Sequence, residues 1–250
     1  MKKNYVGIKG INNFGSEMII IRSDGSSDLD VYFPKYDWVA KHRKISDFTR
    51  GKIKCPYEPR LYGVGYIGEG KYKVVENKKQ TKAYNVWNSM FMRCYCEKYH
   101  KKHPIYINCE VCEEWHNFQN FAKWFEENYY EIEGEIVELD KDAKTKGNLY
   151  SPDRCLFIPS LINKMLVRNK NKRNDIIGIR EKSIGKFSVR CKDGTNKEIY
   201  LGTFNTKEEA FMHYKIFKES LIKQTVEKYK NKIPTKVYNI IYNYKVEIDD

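Results

Sequence analysis

One carboxylate and one amide, Asp140 and Asn163, are spaced so that a short hairpin and the helix after it would bring two hard oxygen ligands to a single divalent cation. The remaining coordination positions would go to water and a phosphate, which is the equipment of phosphodiester hydrolysis assisted by Mg²⁺ or Mn²⁺. The elements that must do the positioning lie on either side. Ile136, Val137 and Leu139 form an apolar, partly β-branched run; Lys144 to Asn148 is a polar loop with a glycine; Leu156, Phe157 and Ile158 supply the returning strand. Pro159 and Ser160 then open a helix, with Asp140 ending the first strand and Asn163 sitting one turn into the helix. A plainer reading of the same residues makes Asp140 and Asp142 ordinary turn formers and Asn163 an ordinary helix cap.

The stretch from roughly Tyr84 to Arg173 resembles the HNH, or ββα-metal, nuclease family. The resemblance implies that Asp140 is the metal-binding aspartate and Asn163 the helical metal ligand. Lys141 then stands where the family has its general-base histidine, and Arg154 where it has the middle asparagine, a structural position. A lysine with a pKa near about 10.4 is a poor base at neutral pH unless burial or a neighbouring cation lowers that value. Asp142, or a histidine folding in from elsewhere such as His100, His103 or His116, could activate the water instead.

Composition narrows the partners. The chain has 250 residues, 41% hydrophobic and 14% aromatic, with a formal charge of +13 and a pI near 9.2, which is globular and points to a polyanion. No apolar run approaches the roughly 18 residues needed to span a bilayer, and the N-terminal MKKNYVGIKGINNFG lacks the apolar core of a signal peptide. Seven scattered cysteines fit reduced thiols, so the expected setting is the cytoplasm of a bacterial host or a phage-infected cell.

The expected fold class is α+β, in four stretches. Residues 1–58 form a small β-rich module, with strands over Met18 to Ile21 and Leu29 to Phe33 separated by the turn Ser23 to Ser26. Residues 59–80 form a glycine- and lysine-bearing linker. It contains a literal GxGxxG, Gly63 to Gly68, but no strand leads in and no helix leads out, so no nucleotide cofactor is expected. Residues 81–172 hold the HNH-like ββα unit and two preceding helices, about Ala83 to Tyr95 and about Glu113 to Tyr129. The second carries Trp115, Phe118, Ala122, Phe125 and Tyr129 as a core stripe. Cys94, Cys96, Cys109 and Cys112 raise the question of structural zinc. Cys94 and Cys96 would lie about 200° apart on a continuing helix, though, so buried free thiols are the favoured reading.

Residues 173–250 carry the nucleic-acid signal. Leading into them, Arg168, Lys170 and Lys172, with Arg173 at the start, suit a segment that neutralises phosphates. Ile176 to Arg180, Phe187 to Lys192 and Lys197 to Phe204 read as three strands, followed by a helix opened by Thr206 to Glu209 with Ala210, Phe211, Tyr214, Phe217 and Leu221 inward. The motifs Gly178-Ile179-Arg180, Gly185-Lys186-Phe187 and Tyr200-Leu201-Gly202-Thr203-Phe204 resemble the Apetala-type DNA-binding domain. That resemblance implies that the sheet, not the helix, enters the major groove of double-stranded DNA. Arg180, Lys182, Lys186, Arg190, Lys192 and Tyr200 would then be the contact residues. The combined expectation is a metal-dependent endonuclease of the phage homing type, or a non-catalytic DNA-binding protein on the same scaffold. The tail from Lys236 to Asp250 carries Val237, Ile240, Ile241, Tyr244 and Val246 without a readable function.

Overall fold

Period-two alternation builds the first sheet of the computed structural model, which describes residues 3–145, 147–166, 176–195 and 197–248. Strands β1 (Lys9–Ile11), β2 (Glu17–Ser23), β3 (Leu29–Phe33) and β4 (Trp38–Arg43) pair antiparallel in sequence order. Met18, Ile20, Leu29, Val31, Phe33 and Ala40 point inward onto Phe48 of helix α1 (Ile45–Thr49). A buried polar knot ties this module to its own end. The Asn12 amide donates to the Ile53 carbonyl (3.1 Å) and to Glu58 Oε1 (2.5 Å), and Glu58 Oε2 accepts from the Cys55 N–H (3.2 Å). Glu58 is 2% exposed, so its carboxylate is tolerated because both oxygens are occupied.

Residues 59–80 pack instead of dangling. The Tyr66 N–H donates to the His116 carbonyl and its own carbonyl accepts from Phe118, each at 2.9 Å. Gly65 of the glycine motif lies against Trp87 and Phe91, where an added Cβ would sit 2.9–3.0 Å from their rings. The glycine thus serves close aromatic packing. Strands β5 (Val75–Glu76) and β6 (Lys79–Gln80) form a tight hairpin with Asn77 and Lys78 at φ of 49° and 62°.

Helix α2 (Lys82–Tyr95) starts where Thr81 Oγ1 accepts the Tyr84 N–H, and it buries Trp87, Met90, Phe91 and Cys94. Helix α3 (Glu97–Lys102) and strand β7 (Glu110–Val111) follow. The helix expected from Glu113 begins later, as α4 (Phe118–Asn128), after a 3₁₀ turn over Glu113–His116. Asn117 is the cause: its backbone is extended and its Oδ1 accepts the Gln119 N–H at 2.9 Å, so it starts the helix instead of sitting inside it.

Contacts divide the chain into two units, Met1–Glu127 and Asn128–Asp250. In the second, strands β8 (Val137–Asp140), β9 (Leu149–Tyr150) and β10 (Leu156–Pro159) precede helix α5 (Ser160–Leu166). β8 and β10 are antiparallel, with Asp140 opposite Leu156. Strands β11 (Ile179–Ser183), β12 (Lys186–Lys192) and β13 (Glu198–Phe204) form a separate antiparallel sheet in sequence order. The protein is therefore α+β.

Helix α6 (Lys207–Glu227), with Thr206 Oγ1 accepting the Glu209 N–H, serves both cores of this unit. Its first turns put Ala210, Phe211 and Tyr214 under the β11–β13 sheet. Its last turns put Ile222 and Val226 against Leu156, Ile158 and Ile162 of the ββα unit. The tail that carried no readable function becomes helix α7 (Thr235–Tyr242), whose Val237 and Ile241 complete that second core. Val246 returns to the first. Among the described residues no helix is long and apolar enough to cross a membrane.

Candidate metal site and nucleic-acid interface

The strand, loop, strand and helix expected around Asp140 are present, and the side chains within them are tightly committed. Asp140 Oδ1 accepts the Asp142 N–H (2.9 Å) and the Ala143 N–H, which turns the chain sharply at the strand end. Burial pushes Asp140 above the ordinary carboxylate range, while those two N–H groups pull it down and the like charge of Asp142 pushes it further up. Asn163 is not hydrogen-bonded to Asp140. Its Nδ2 donates to Glu138 Oε2 at 2.6 Å, and Ser160 Oγ donates to Glu138 Oε1 at 2.9 Å. Glu138 escaped the sequence reading, yet the signal was there: two residues before Asp140 on a strand is the same face. Asp140, Glu138 and the Asn163 amide carry hard oxygens, the donor type that Mg²⁺ and Mn²⁺ take, but both Glu138 oxygens and Asp140 Oδ1 already accept hydrogen bonds.

Lys141 is 9% exposed, and its ammonium donates to both oxygens of Asp142 and to the Gly147 carbonyl, all at 2.8 Å. With three protons directed at three acceptors it clamps the loop closed. Lys144 donates to the Asp153 carbonyl, and the Arg154 guanidinium lies against Gly147, so two more cations pin the same loop. His100, His103 and His116 all lie in the first unit. There His100 Nε2 donates to the Arg93 carbonyl (2.7 Å) and His116 Nε2 to the Val111 carbonyl (3.0 Å).

None of the four cysteines weighed for zinc is in a disulfide. Helix α2 ends at Tyr95, so Cys96 lies past its last residue, but no three of these sulfurs gather within ligand distance among the described residues. Burial raises the Cys112 thiol pKa, which disfavours a thiolate there. Among the described residues one grouping of three potential ligands does form, Asp28, Asp30 and His42, and it already holds a cation. Arg22 Nε donates to Asp30 Oδ2 and Arg22 Nη2 to Asp28 Oδ1, each at 2.7 Å.

That ion pair sets a pH dependence. The hydrogen bond from Arg22 lowers Asp30 to about 2, and Arg22 followed by His42 lowers Asp28. Both lie below the unfolded value of about 3.9, so their contribution to stability is complete above that pH and is lost as pH falls toward about 2. Acid unfolding followed through Trp38 fluorescence should therefore be steeper between about pH 4 and 2 in the native chain than in Arg22→Met. Parallel acid limbs would count against this role for Arg22.

The β11–β13 sheet has one face sealed and one open. Phe187, Val189 and Cys191 of β12 face α6, and Lys186, Ser188, Arg190 and Lys192 face solvent. The register sets Arg180 opposite Ser188, Tyr200 opposite Arg190 and Glu198 opposite Lys192 on the same outward side. Lys182 is exposed near the bulged end of β11, and Tyr200 is 58% exposed. Arg168, Lys170, Lys172 and Arg173 lie outside the described residues.

Gly178 makes the sheet possible. It has φ +73°, its carbonyl accepts the Arg190 N–H at 2.8 Å, and an added Cβ would come within 2.6 Å of the Arg190 carbonyl. Beneath, Lys218 is a buried lysine that periodicity did not single out; its Nζ donates to the Lys192 carbonyl at 3.0 Å, and burial lowers its pKa. Compared with family models, curated proteins and solved structures, the chain matches none.

Proposed function

We propose that this chain binds double-stranded DNA through the outward face of β11–β13, and that the ββα unit of β8, β10 and α5 hydrolyses a phosphodiester there with Mg²⁺ or Mn²⁺. The observation that carries the DNA reading is the separation of the sheet's two faces. One packs on α6, and the other presents Arg180, Lys186, Arg190 and Lys192 with the half-exposed ring of Tyr200. A cationic face with an aromatic among the charges matches phosphates and groove edges.

The hydrolytic part rests on the Asp140, Glu138 and Asn163 oxygens. A bound divalent ion would supply Lewis acidity toward a phosphate oxygen. Asp140 and Asn163 would hold it from the strand end and the helix. With Lys141 donating all its protons, activation of water falls to Asp142, whose carboxylate is 40% exposed. A second reading, a DNA-binding protein without catalysis, is favoured by the same clamp, because Lys141 offers no lone pair where a base is needed.

Plasmid nicking with Mg²⁺ or Mn²⁺, beside duplex binding measured against salt, separates the two. The native chain is expected to bind with strong salt dependence and to nick. Asp140→Ala should bind equally and nick more than about 100-fold more slowly, beyond the 10–100-fold cost of losing an outer-shell partner. Binding without nicking would leave the non-catalytic reading standing, and absence of binding in dilute buffer would end both.

A further inference from the structure

We propose that the outward face of the first sheet, β1 to β4, is where a second copy of this chain docks, sheet against sheet, to form a weak two-fold dimer. The proposal is independent of the DNA reading and uses residues of the first unit alone.

Both faces of this sheet are apolar, and the first unit's own core lies on one of them. Inward, Met18, Ile20, Leu29, Val31, Phe33 and Ala40 join Phe48 in that core. Gly10 faces the same way, since an added Cβ would meet the Phe48 ring at 3.0 Å. Period two then turns Lys9 and Ile11 of β1, and Glu17, Ile19 and Ile21 of β2, to the other side. The register carries that side across the sheet: Lys9 lies opposite Ile19, Ile19 opposite Tyr32, and Tyr32 opposite Val39. Ile11 and Ile21 flank this row and are 68% and 46% exposed. An antiparallel sheet with one solvated face carries polar side chains there. This one presents Ile11, Ile19, Ile21, Tyr32 and Val39, none of which belongs to the inner core.

Charge indicates what covers them. The chain carries +13 overall, yet on this side Lys9, Arg22 and Lys41 are matched by Glu17, Asp28 and Asp30. Five of these six are spent on one another. Lys9 pairs with Glu17 at 3.3 Å, and Arg22 pairs with Asp28 and with Asp30 at 2.7 Å each. A polyanion or an anionic lipid surface finds no net charge to follow here. Two copies of a strongly cationic chain repel each other, and the approach that costs least is through a formally neutral face with an apolar centre. An isologous pairing sets each copy's apolar row on the other's, with the sheets stacked about 10 Å apart.

Size sets the strength. Four strands about 4.8 Å apart and about 20 Å long give a footprint of roughly 400 Å² per copy, about half that of a standard interface. The dissociation constant should therefore be on the order of 10–100 µM.

The test is sedimentation equilibrium of the full chain, freed of nucleic acid, from about 1 to about 500 µM protein at roughly 0.1 and 0.5 M salt. A monomer–dimer equilibrium is expected, and it should tighten as salt screens the repulsion, the opposite of a phosphate contact. Ile11→Gln with Ile21→Gln removes apolar surface without adding charge and should weaken dimerisation by more than about 10-fold. Ile11→Lys with Ile21→Lys should leave a monomer throughout. Both positions are exposed, so the thermal midpoint of the monomer should stay within a few degrees of the native value. A native chain that is monomeric at every concentration, a dimer untouched by the glutamine pair, or a dimer that dissociates as salt is added would each overturn the proposal.

Discussion

Alanine at Arg180, Arg190 and Lys192 together should lower duplex affinity by at least about 100-fold at roughly 0.1 M salt while leaving the thermal midpoint within a few degrees of the native value. The three side chains lie on the outward side of adjoining strands, fixed there by the pairing of Arg180 with Ser188, of Arg190 with Tyr200 and of Lys192 with Glu198. None belongs to the core beneath the sheet, which is built from Ile179, Phe187, Val189, Cys191, Ala210, Phe211, Tyr214 and Val246. Stability and binding should therefore separate.

The salt dependence sharpens this. Each phosphate contact contributes about 0.9 to the slope of log K against log salt. The slope should fall by about 0.9 for each of the three side chains that meets a phosphate. A triple variant with an unchanged slope would place the binding surface elsewhere.

The largest expected loss of stability comes from Trp87→Ala. Trp87 is wholly buried, its ring centroid 4.7 Å from Phe91, 5.5 Å from Phe118 and 5.9 Å from Tyr84. Truncation leaves a cavity worth about 3–5 kcal/mol. It also strips the Trp115 carbonyl of the 2.7 Å hydrogen bond from Trp87 Nε1, adding about 1–3 kcal/mol if that oxygen stays dry. Against a typical domain stability of about 5–15 kcal/mol, the first unit should unfold at markedly lower denaturant. Trp87→Phe keeps much of the ring packing and should recover more than half of the loss. A shift below about 1 kcal/mol for Trp87→Ala would mean the cluster is not central to this unit.

Local patterning foretold most of the elements, because the residues that make them act over short range. The apolar, β-branched run Met18 to Ile21, the strand pattern of Leu29 to Phe33, the Thr81 and Thr206 caps, and the apolar side of α2 are all local signals, and the corresponding elements form. What was illegible depends on partners far along the chain. Glu58 is spaced from Asn12 by 46 positions, and nothing near either announces the bond. Helix α7 looked functionless because its apolar side chains answer to Leu156, Ile158 and Ile162, which sequence spacing does not bring near it.

At the candidate site, sequence placed Asp140 at a strand end and Asn163 on the following helix but overlooked Glu138, whose carboxylate accepts from Ser160 and Asn163. Reading Asp140 as a ligand drew attention from Glu138, the residue that Asn163 actually touches. The role of Lys141 turned on its burial and on the carbonyl of Gly147, a loop closure that no local propensity encodes.

Helix α6 is common to the sheet and to the ββα unit, a single rod of Lys207–Glu227 about 30 Å long. A tethered nuclease on a slack linker would nibble over a range of positions; one mounted on the same beam as its reader has no such latitude. Seated on a duplex as proposed, the molecule becomes a ruler, and any scission would fall at a constant number of base pairs from the recognised step, with inserted or deleted residues in α6 rotating the cutter about the axis as well as moving it along.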